Sequence, residues 1–131
     1  MKKAIKKITW SFEEGRFWDL WAFTHILAGV VLGLFFELLE LGFFVGFVVS
    51  AGIMIVWEIG EIFFKIEETG ENRVLDVLYG VIAYSLTYSI AVPMSPWLVG
   101  LALGFFAVLK GAIEYKGWKA YRSRTSKSSK G

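Results

Sequence analysis

Cysteine and glutamine are absent from this 131-residue chain, and histidine and asparagine occur once each, as His25 and Asn72. Without cysteine, disulfide bonds, thiolate metal sites and cysteine nucleophiles are all excluded. The single histidine is the one imidazole that could bind a metal ion or carry a proton near neutral pH. The scarcity of amide side chains, together with abundant glutamate and lysine, favours a thermophilic source.

The apolar content of the chain indicates whether its surroundings are water or lipid. Hydrophobic residues make up 56% of the sequence, aromatic residues 18%, and the mean hydropathy is +0.56. Four apolar runs approach the length of about 20 residues that a helix needs to cross a bilayer: 17–36, 41–64, 74–92 and 97–115. The runs are too long and too little alternating for barrel strands, so the sequence predicts an all-α integral membrane four-helix bundle.

The breaks between the runs leave no room for a second domain. Two short turns, at 37–40 and 93–96, close the first and third helical hairpins, and the loop 65–73 is the one strongly charged connection. Residues 1–131 therefore form a single transmembrane domain. The polar, basic residues 123–131 are predicted to be disordered.

The basic residues predict the orientation of the spans. All fourteen lysines and arginines lie on one side: five before the first span, two in the loop between the second and third spans, and seven at or beyond the end of the fourth. The positive-inside rule then places both termini in the cytoplasm and the protein in the cell membrane. The basic tail becomes a topology signal that attracts anionic lipid, and no nucleic-acid partner is expected.

The N-terminal segment 1–15 reads as a short amphipathic helix on the membrane surface. Ile5, Ile8 and Phe12 recur at helical spacing with lysines between them, and Gly15 ends the pattern. It is not a signal peptide, because the apolar run that follows is long enough to span and has no small-residue cleavage site.

Small residues predict where the helices touch, because lipid gives helices no hydrophobic reason to associate. Stripes of small residues occur on all four predicted helices. Their glycines are Gly29, Gly33, Gly42, Gly46, Gly80, Gly100 and Gly104. This is more contact surface than one compact bundle needs, so a homo-oligomer is expected.

Ionisable residues inside the apolar runs form the candidate site. Burying one charge at the bilayer centre costs about 2.5–3.5 kcal/mol on insertion scales, so such groups should face one another. Depth and helix face predict a polar cluster in the cytoplasmic half of the bundle, composed of Asp19, His25, Glu58, Glu61, Asp76 and Lys110. Within it, Glu58 and His25 are predicted to approach within about 8 Å, with Asp76 entering the same space.

Several of these residues also have ordinary structural explanations. Asp19 suits a helix N-terminus, and Asn72 is favoured as an N-cap over a ligand. His25 is favoured for an interhelical hydrogen bond over a role as ligand or proton carrier. Lys110 could neutralise Glu58 across the bundle or extend to the surface.

The carboxylates differ in how readily a local partner explains them. Glu61 and Lys65 form an i,i+4 pair that needs no function, whereas Glu58 has no such neighbour. A metal ion, if one is bound, has four candidate ligands: His25, Glu58, Glu61 and Asp76.

Three motifs in order, WDLWAFTH, WEIGE and ENRVLDVLYG, resemble those of the VanZ-like family and the related YjdF-like group of small membrane proteins. The shared features are an acid and a histidine opening the first span, a carboxylate pair ending an inner span, and an Asp-x-x-x-Gly pattern at Asp76 and Gly80. The resemblance covers 17–88. The chain lacks the Gln that often follows the VanZ glutamate and the Asn of its Asp-x-x-x-Asn pattern, so it is closer to the YjdF-like side. The resemblance implies a fold, a polar site and, in one branch, a link to glycopeptide tolerance.

Three classes of function remain open. The cluster could bind an ion, a proton or a lipid headgroup. It could serve an enzyme acting on a lipid-linked or phosphate-bearing substrate at the cytoplasmic leaflet, or it could only fix the bundle. The sequence contains no nucleophile motif, phosphate-binding loop or redox site, which favours binding over catalysis. A divalent cation is compatible with the residues, no organic cofactor is implied, and membrane lipid is the expected partner.

Overall fold

A computed structural model describes residues 7–12, 15, 17–64 and 69–130, the last range without the side chain at 128. The described chain holds four α-helices: α1 (Leu20–Leu38), α2 (Phe43–Phe63), α3 (Gly70–Ala91) and α4 (Pro96–Ser128). Each contains a stretch long and apolar enough to cross a membrane. The prediction of an all-helical protein with four candidate spans is therefore confirmed.

Helix α1 is central, since it contacts each of the other three helices and packs most extensively on α3. Glycine makes this approach possible. A Cβ at Gly29 would overlap the carbonyl oxygen of Gly80, and a Cβ at Gly33 would lie 3.0 Å from the Cβ of Thr87. A Cβ at Gly80 would in turn overlap the Met54 sulfur of α2. Close backbone contact therefore joins α1 and α3, while the Met54 side chain fills the space beside Gly80.

An aromatic group joins α2 to α3 at the end of the bundle where the first hairpin turns. A Cβ at Gly46 would overlap the hydroxyl of Tyr84, which is fully buried. That hydroxyl donates to the Phe43 carbonyl at 3.1 Å, and the Tyr88 hydroxyl donates to the Leu41 carbonyl at 2.7 Å. The two tyrosines therefore fix where α2 begins.

Three of the predicted packing glycines have no neighbour inside the described chain. A Cβ at Gly42, Gly100 or Gly104 would meet no atom within 4 Å. Helix α4 is accordingly the most exposed of the four, with 6% of its most apolar window buried. Its small-residue stripe does not contribute to the packing of this chain.

The end of α1 is a Schellman turn. The Leu41 N–H bonds the Phe36 carbonyl at 2.9 Å, and the Glu40 N–H bonds the Glu37 carbonyl at 2.8 Å. Glu40 adopts a left-handed conformation with φ of 55°, which glycine usually supplies at this position. The turn reverses the chain within four residues.

Residues 7–12 do not form the expected amphipathic helix, and residues 1–6, 13 and 14 lie outside the described part of the chain. The segment instead consists of bends and lies beside the start of α1 through an isolated parallel β-bridge between Ile8 and Trp18. The Thr9 N–H bonds the Trp18 carbonyl at 3.0 Å, and the Phe17 N–H bonds the Lys7 carbonyl at 2.9 Å. A Cβ at Gly15 would overlap the Trp18 carbonyl oxygen, so glycine permits this close return of the chain.

Helix α4 is longer than the apolar run that predicts it. It continues to Ser128, through residues that the sequence assigns to a disordered tail. The rings of Trp118 and Trp21 lie 5.6 Å apart, and Arg124 donates to the Phe12 carbonyl at 2.8 Å. These contacts hold the polar part of α4 against the N-terminal segment, and they place both at one end of the bundle, called here the terminal end.

Candidate functional site

Three buried ionisable residues from three helices meet near the terminal end of the bundle. His25 comes from α1, Glu58 from α2 and Asp76 from α3, and their exposed fractions are 6%, 6% and 1%. One ligand atom from each lies within 4.8 Å of the others. These three residues are called here the cation triad. The predicted buried polar cluster therefore exists.

The imidazole of His25 is held by both of its nitrogens. Its Nδ1 lies 2.9 Å from the Trp21 carbonyl oxygen, and a carbonyl can only accept, so Nδ1 carries a proton. Its Nε2 lies 2.8 Å from Glu58 Oε1, which confirms the predicted approach of these two residues. Nδ1 also lies 3.7 Å from Asp76 Oδ2. The ring is thus oriented before any ligand arrives, as the histidines of metal sites usually are.

Electrostatics restricts what can lie between His25 and Glu58. With Nδ1 protonated, a neutral ring presents a lone pair at Nε2, and two acceptors would repel at 2.8 Å. A positive charge is needed there, either a second ring proton or a metal ion. With Nε2 protonated, the two groups form an ion pair at 2.8 Å.

The Glu58 carboxylate is buried, and its shortest polar contact is the one with His25 Nε2. Both oxygens are inaccessible to solvent, and neither accepts a hydrogen bond within the described chain. The nearest cation is Arg73, whose Nη1 lies 3.7 Å from Glu58 Oε2 and donates instead to the Glu58 backbone carbonyl at 3.2 Å. Buried polar groups in proteins are normally satisfied, so this carboxylate has capacity for a further ligand.

Glu61 lies beside the triad and not in it. Its Oε1 accepts from Trp57 Nε1 at 2.8 Å, and its Oε2 lies 4.0 Å from Arg73 Nη1. Glu61 therefore helps to orient the arginine that faces Glu58. The i,i+4 pair expected with Lys65 falls outside the described residues.

Asp19 and Asn72 connect α1 to α3 on the side of the triad that is nearer the terminal end. Asp19 caps α1, with Oδ1 accepting from the Ala22 N–H at 2.9 Å and Oδ2 from the Gly15 N–H at 3.1 Å. Asn72 Nδ2 donates to the same Oδ2 at 3.4 Å. The expectation that Asn72 is an N-cap is wrong, because Thr69 caps α3 and accepts from the Asn72 N–H at 3.2 Å. Asn72 lies inside the first turn, where its side chain can reach α1.

Lys110 does not join the triad. Its ammonium pairs with Glu114 one turn further along α4. Both residues line a cleft that also reaches His25. The structure therefore brings together His25, Glu58 and Asp76. Asp19 and Glu61 lie next to this triad, and Lys110 lies on the other side of the cleft from His25.

Sequence reasoning missed Arg73 as part of the site. The charge pattern assigns Arg73 only to the basic residues that set the topology. Arg73 also lies three positions before Asp76 and therefore on the same face of the helix. That spacing was the available signal.

No described protein family, curated protein or solved structure matches this chain. The VanZ-like resemblance therefore rests on its short motifs alone.

Proposed function

We propose that this chain is a small multi-pass membrane protein that binds one divalent cation between His25, Glu58 and Asp76. One observation carries the proposal: the 2.8 Å separation of His25 Nε2 and Glu58 Oε1, with Nδ1 already committed to a carbonyl. A cation between these atoms removes their repulsion and gives the buried Glu58 carboxylate a ligand in addition to its contacts with His25 and Arg73.

The charge of the triad suits a divalent ion. Glu58 and Asp76 carry two formal negative charges, and one divalent cation matches both. A proton on His25 is the alternative occupant, and a metal titration distinguishes the two.

The donor set favours zinc over magnesium. One imidazole and two carboxylates suit a borderline metal such as Zn²⁺, whereas Mg²⁺ prefers an all-oxygen octahedral shell. Ligand atoms of a tetrahedral zinc site lie about 3.3 Å apart. On binding, His25 and Glu58 would separate by roughly half an ångström, and Asp76, whose ligand atom lies within 4.8 Å of the other two, would move closer to them.

The setting of the site is part of the proposal. The protein lies in the cell membrane with both termini in the cytoplasm, as the one-sided distribution of its basic residues favours. The triad then lies in the cytoplasmic half of the bundle. A homo-oligomer would use the exposed small-residue face of α4.

The test is a metal titration of the purified protein in mild detergent. After chelator treatment, Zn²⁺ and Mg²⁺ are added separately and binding is followed by calorimetry and by metal content after gel filtration. We expect one Zn²⁺ per chain, weaker Mg²⁺ binding, and loss of the zinc site in Asp76→Asn because an amide oxygen is a poor zinc ligand.

Glu114→Gln is the matched control, since it also converts an acid of the bundle to an amide but lies outside the triad. It should bind zinc like the unaltered chain. The proposal fails if the unaltered chain binds no zinc, which would leave the proton as the occupant, or if Asp76→Asn binds it equally well.

A further inference from the structure

A cleft of about 210 Å³ lies between α1, α2 and α4. Its apolar wall consists of Ala28, Val31, Leu32, Ile53 and Met54. The volume is below the roughly 300–1,000 Å³ of sites for drug-sized ligands. A single unbranched chain suits it better than a ring-bearing cofactor.

The cleft is polar at one end and apolar at the other. Helix α1 runs away from the terminal end, and Thr24 and Leu32, both in the lining, are eight residues or about 12 Å apart along it. Helices α2 and α4 run in the opposite sense. Trp57, Lys110 and Glu114 therefore lie towards the terminal end, while Ile53 and Met54 lie deeper.

The cleft opens sideways between two helices. Within the described chain, α2 and α4 each contact α1 but make no extended contact with each other. Their outer faces carry exposed apolar side chains such as Val56 and Val108. In a bilayer, lipid acyl chains surround this opening. They are therefore the groups available to enter the cleft.

Charge complementarity identifies the head of the occupant. The Lys110 ammonium has three donor protons, and Glu114 accepts one of them. The remaining donors suit a phosphate oxygen, and the Glu114 carboxylate suits an amine. A zwitterionic phospholipid with a phosphate and a primary amine offers both.

We infer that this cleft binds one acyl chain of a zwitterionic phospholipid, with its phosphate at Lys110 and its amine near Glu114. The proposal goes beyond the cation triad and requires only the membrane setting. Because His25 lines the cleft as well as contacting Glu58, a lipid seated there closes the lateral route from the bilayer to the triad.

The test is native mass spectrometry of the purified chain with phosphatidylethanolamine, supported by a phosphatidylethanolamine carrying a diazirine in its acyl chain. We expect a single lipid adduct and cross-links to Val31, Leu32 or Ile53. Ala28→Phe fills the cleft and should lose both. Ala107→Phe, the same change on an exposed part of α4, should keep both.

A second variant removes the head contact without filling the cleft. Lys110→Met keeps the length of the side chain, and we expect it to bind diacylglycerol as well as phosphatidylethanolamine, whereas the unaltered chain prefers phosphatidylethanolamine. Equal retention of lipid by Ala28→Phe and Ala107→Phe, or cross-links spread over the exposed faces, would overturn the inference.

The zinc titration separates this proposal from the preceding one. Asp76→Asn should lose zinc and keep the lipid adduct, while Ala28→Phe should lose the adduct and keep zinc. Cross-links between two copies of the chain inside the cleft would show a protein occupant and would also refute the lipid.

Discussion

At the scale of single residues, the His25 imidazole joins structure to chemistry. Its Nδ1 is fixed by a carbonyl of its own helix, and its Nε2 faces a carboxylate from the next helix. A buried carboxylate in a membrane helix must be paired, protonated or bound to a cation. Glu58 has an arginine nearby: Arg73 Nη1 donates a hydrogen bond to the main-chain carbonyl of Glu58 and lies 3.7 Å from its carboxylate oxygen Oε2.

Glu58→Gln should abolish the effect of zinc on stability. The change removes one uncompensated negative charge, so the metal-free variant should be as stable as the unaltered chain or more stable. Zinc at about 100 times its dissociation constant should stabilise the unaltered chain by about 2.7 kcal/mol. The same concentration of zinc should leave the stability of Glu58→Gln nearly unchanged. Thermal unfolding in detergent, with and without zinc, measures both.

Glu37→Gln provides the control for that experiment, because Glu37 lies at the opposite end of α1. It should keep the full zinc effect. A large loss of stability in metal-free Glu58→Gln would show that the carboxylate is part of a structural network, and equal zinc stabilisation of the two variants would remove Glu58 from the site.

The residues of the triad could be predicted because each is an ionisable group in an apolar run beside a small-residue stripe. Lys110 could not be assigned correctly, since its pairing with Glu114 competes with any reach across the bundle. The role of Arg73 depends on how α2 and α3 meet, which a count of basic residues does not contain. Depth and helix face thus predict the approach of His25 and Glu58, whereas a competing pair within one helix, such as Lys110 with Glu114, is not predicted.

At the scale of helices, the contacts between α1 and α3 depend on glycine. The sequence predicts the four spans within a few residues at most boundaries, because their apolar runs are close to membrane length. It does not predict the bent, non-helical segment 7–12 or the continuation of α4 to Ser128, since both are held by contacts with other segments of the chain. The local pattern of apolar and polar residues does not predict those contacts.

Gly29→Ala and Gly104→Ala should change stability in opposite directions. The added Cβ at Gly29 overlaps the Gly80 carbonyl oxygen, so α1 and α3 must separate, at a cost of about 1–3 kcal/mol. At Gly104 the Cβ meets nothing within 4 Å, and alanine should stabilise the helix by up to about 1 kcal/mol. Unfolding by SDS in mixed micelles compares the two.

The same pair of variants reports on association. If Gly104→Ala destabilises the protein only at concentrations where it self-associates, Gly104 lies in a homo-oligomer contact. Equal effects of the two substitutions would contradict the packing of α1 on α3.

At the scale of the whole molecule, the start of α1 and the end of α4 lie at the same end of the bundle. The N-terminal segment and the end of α4 touch there, and the 37–40 and 93–96 turns lie at the opposite end. In the sequence, every basic residue lies before the first span, between the second and third spans, or at or beyond the end of the fourth. The positive-inside rule therefore predicts that the terminal end faces the cytoplasm.

Single cysteines placed at the two ends of the bundle should be labelled from opposite sides of the membrane. The chain has no cysteine of its own, so Glu40→Cys, Thr69→Cys, Ser95→Cys and Ser126→Cys each carry one thiol. An impermeant maleimide added to intact cells should label positions 40 and 95, because retention of basic flanks in the cytoplasm leaves the other end outside. Positions 69 and 126 should be labelled only after lysis. Labelling of either of these in intact cells would invert the topology and move the cation triad to the outer half of the bilayer.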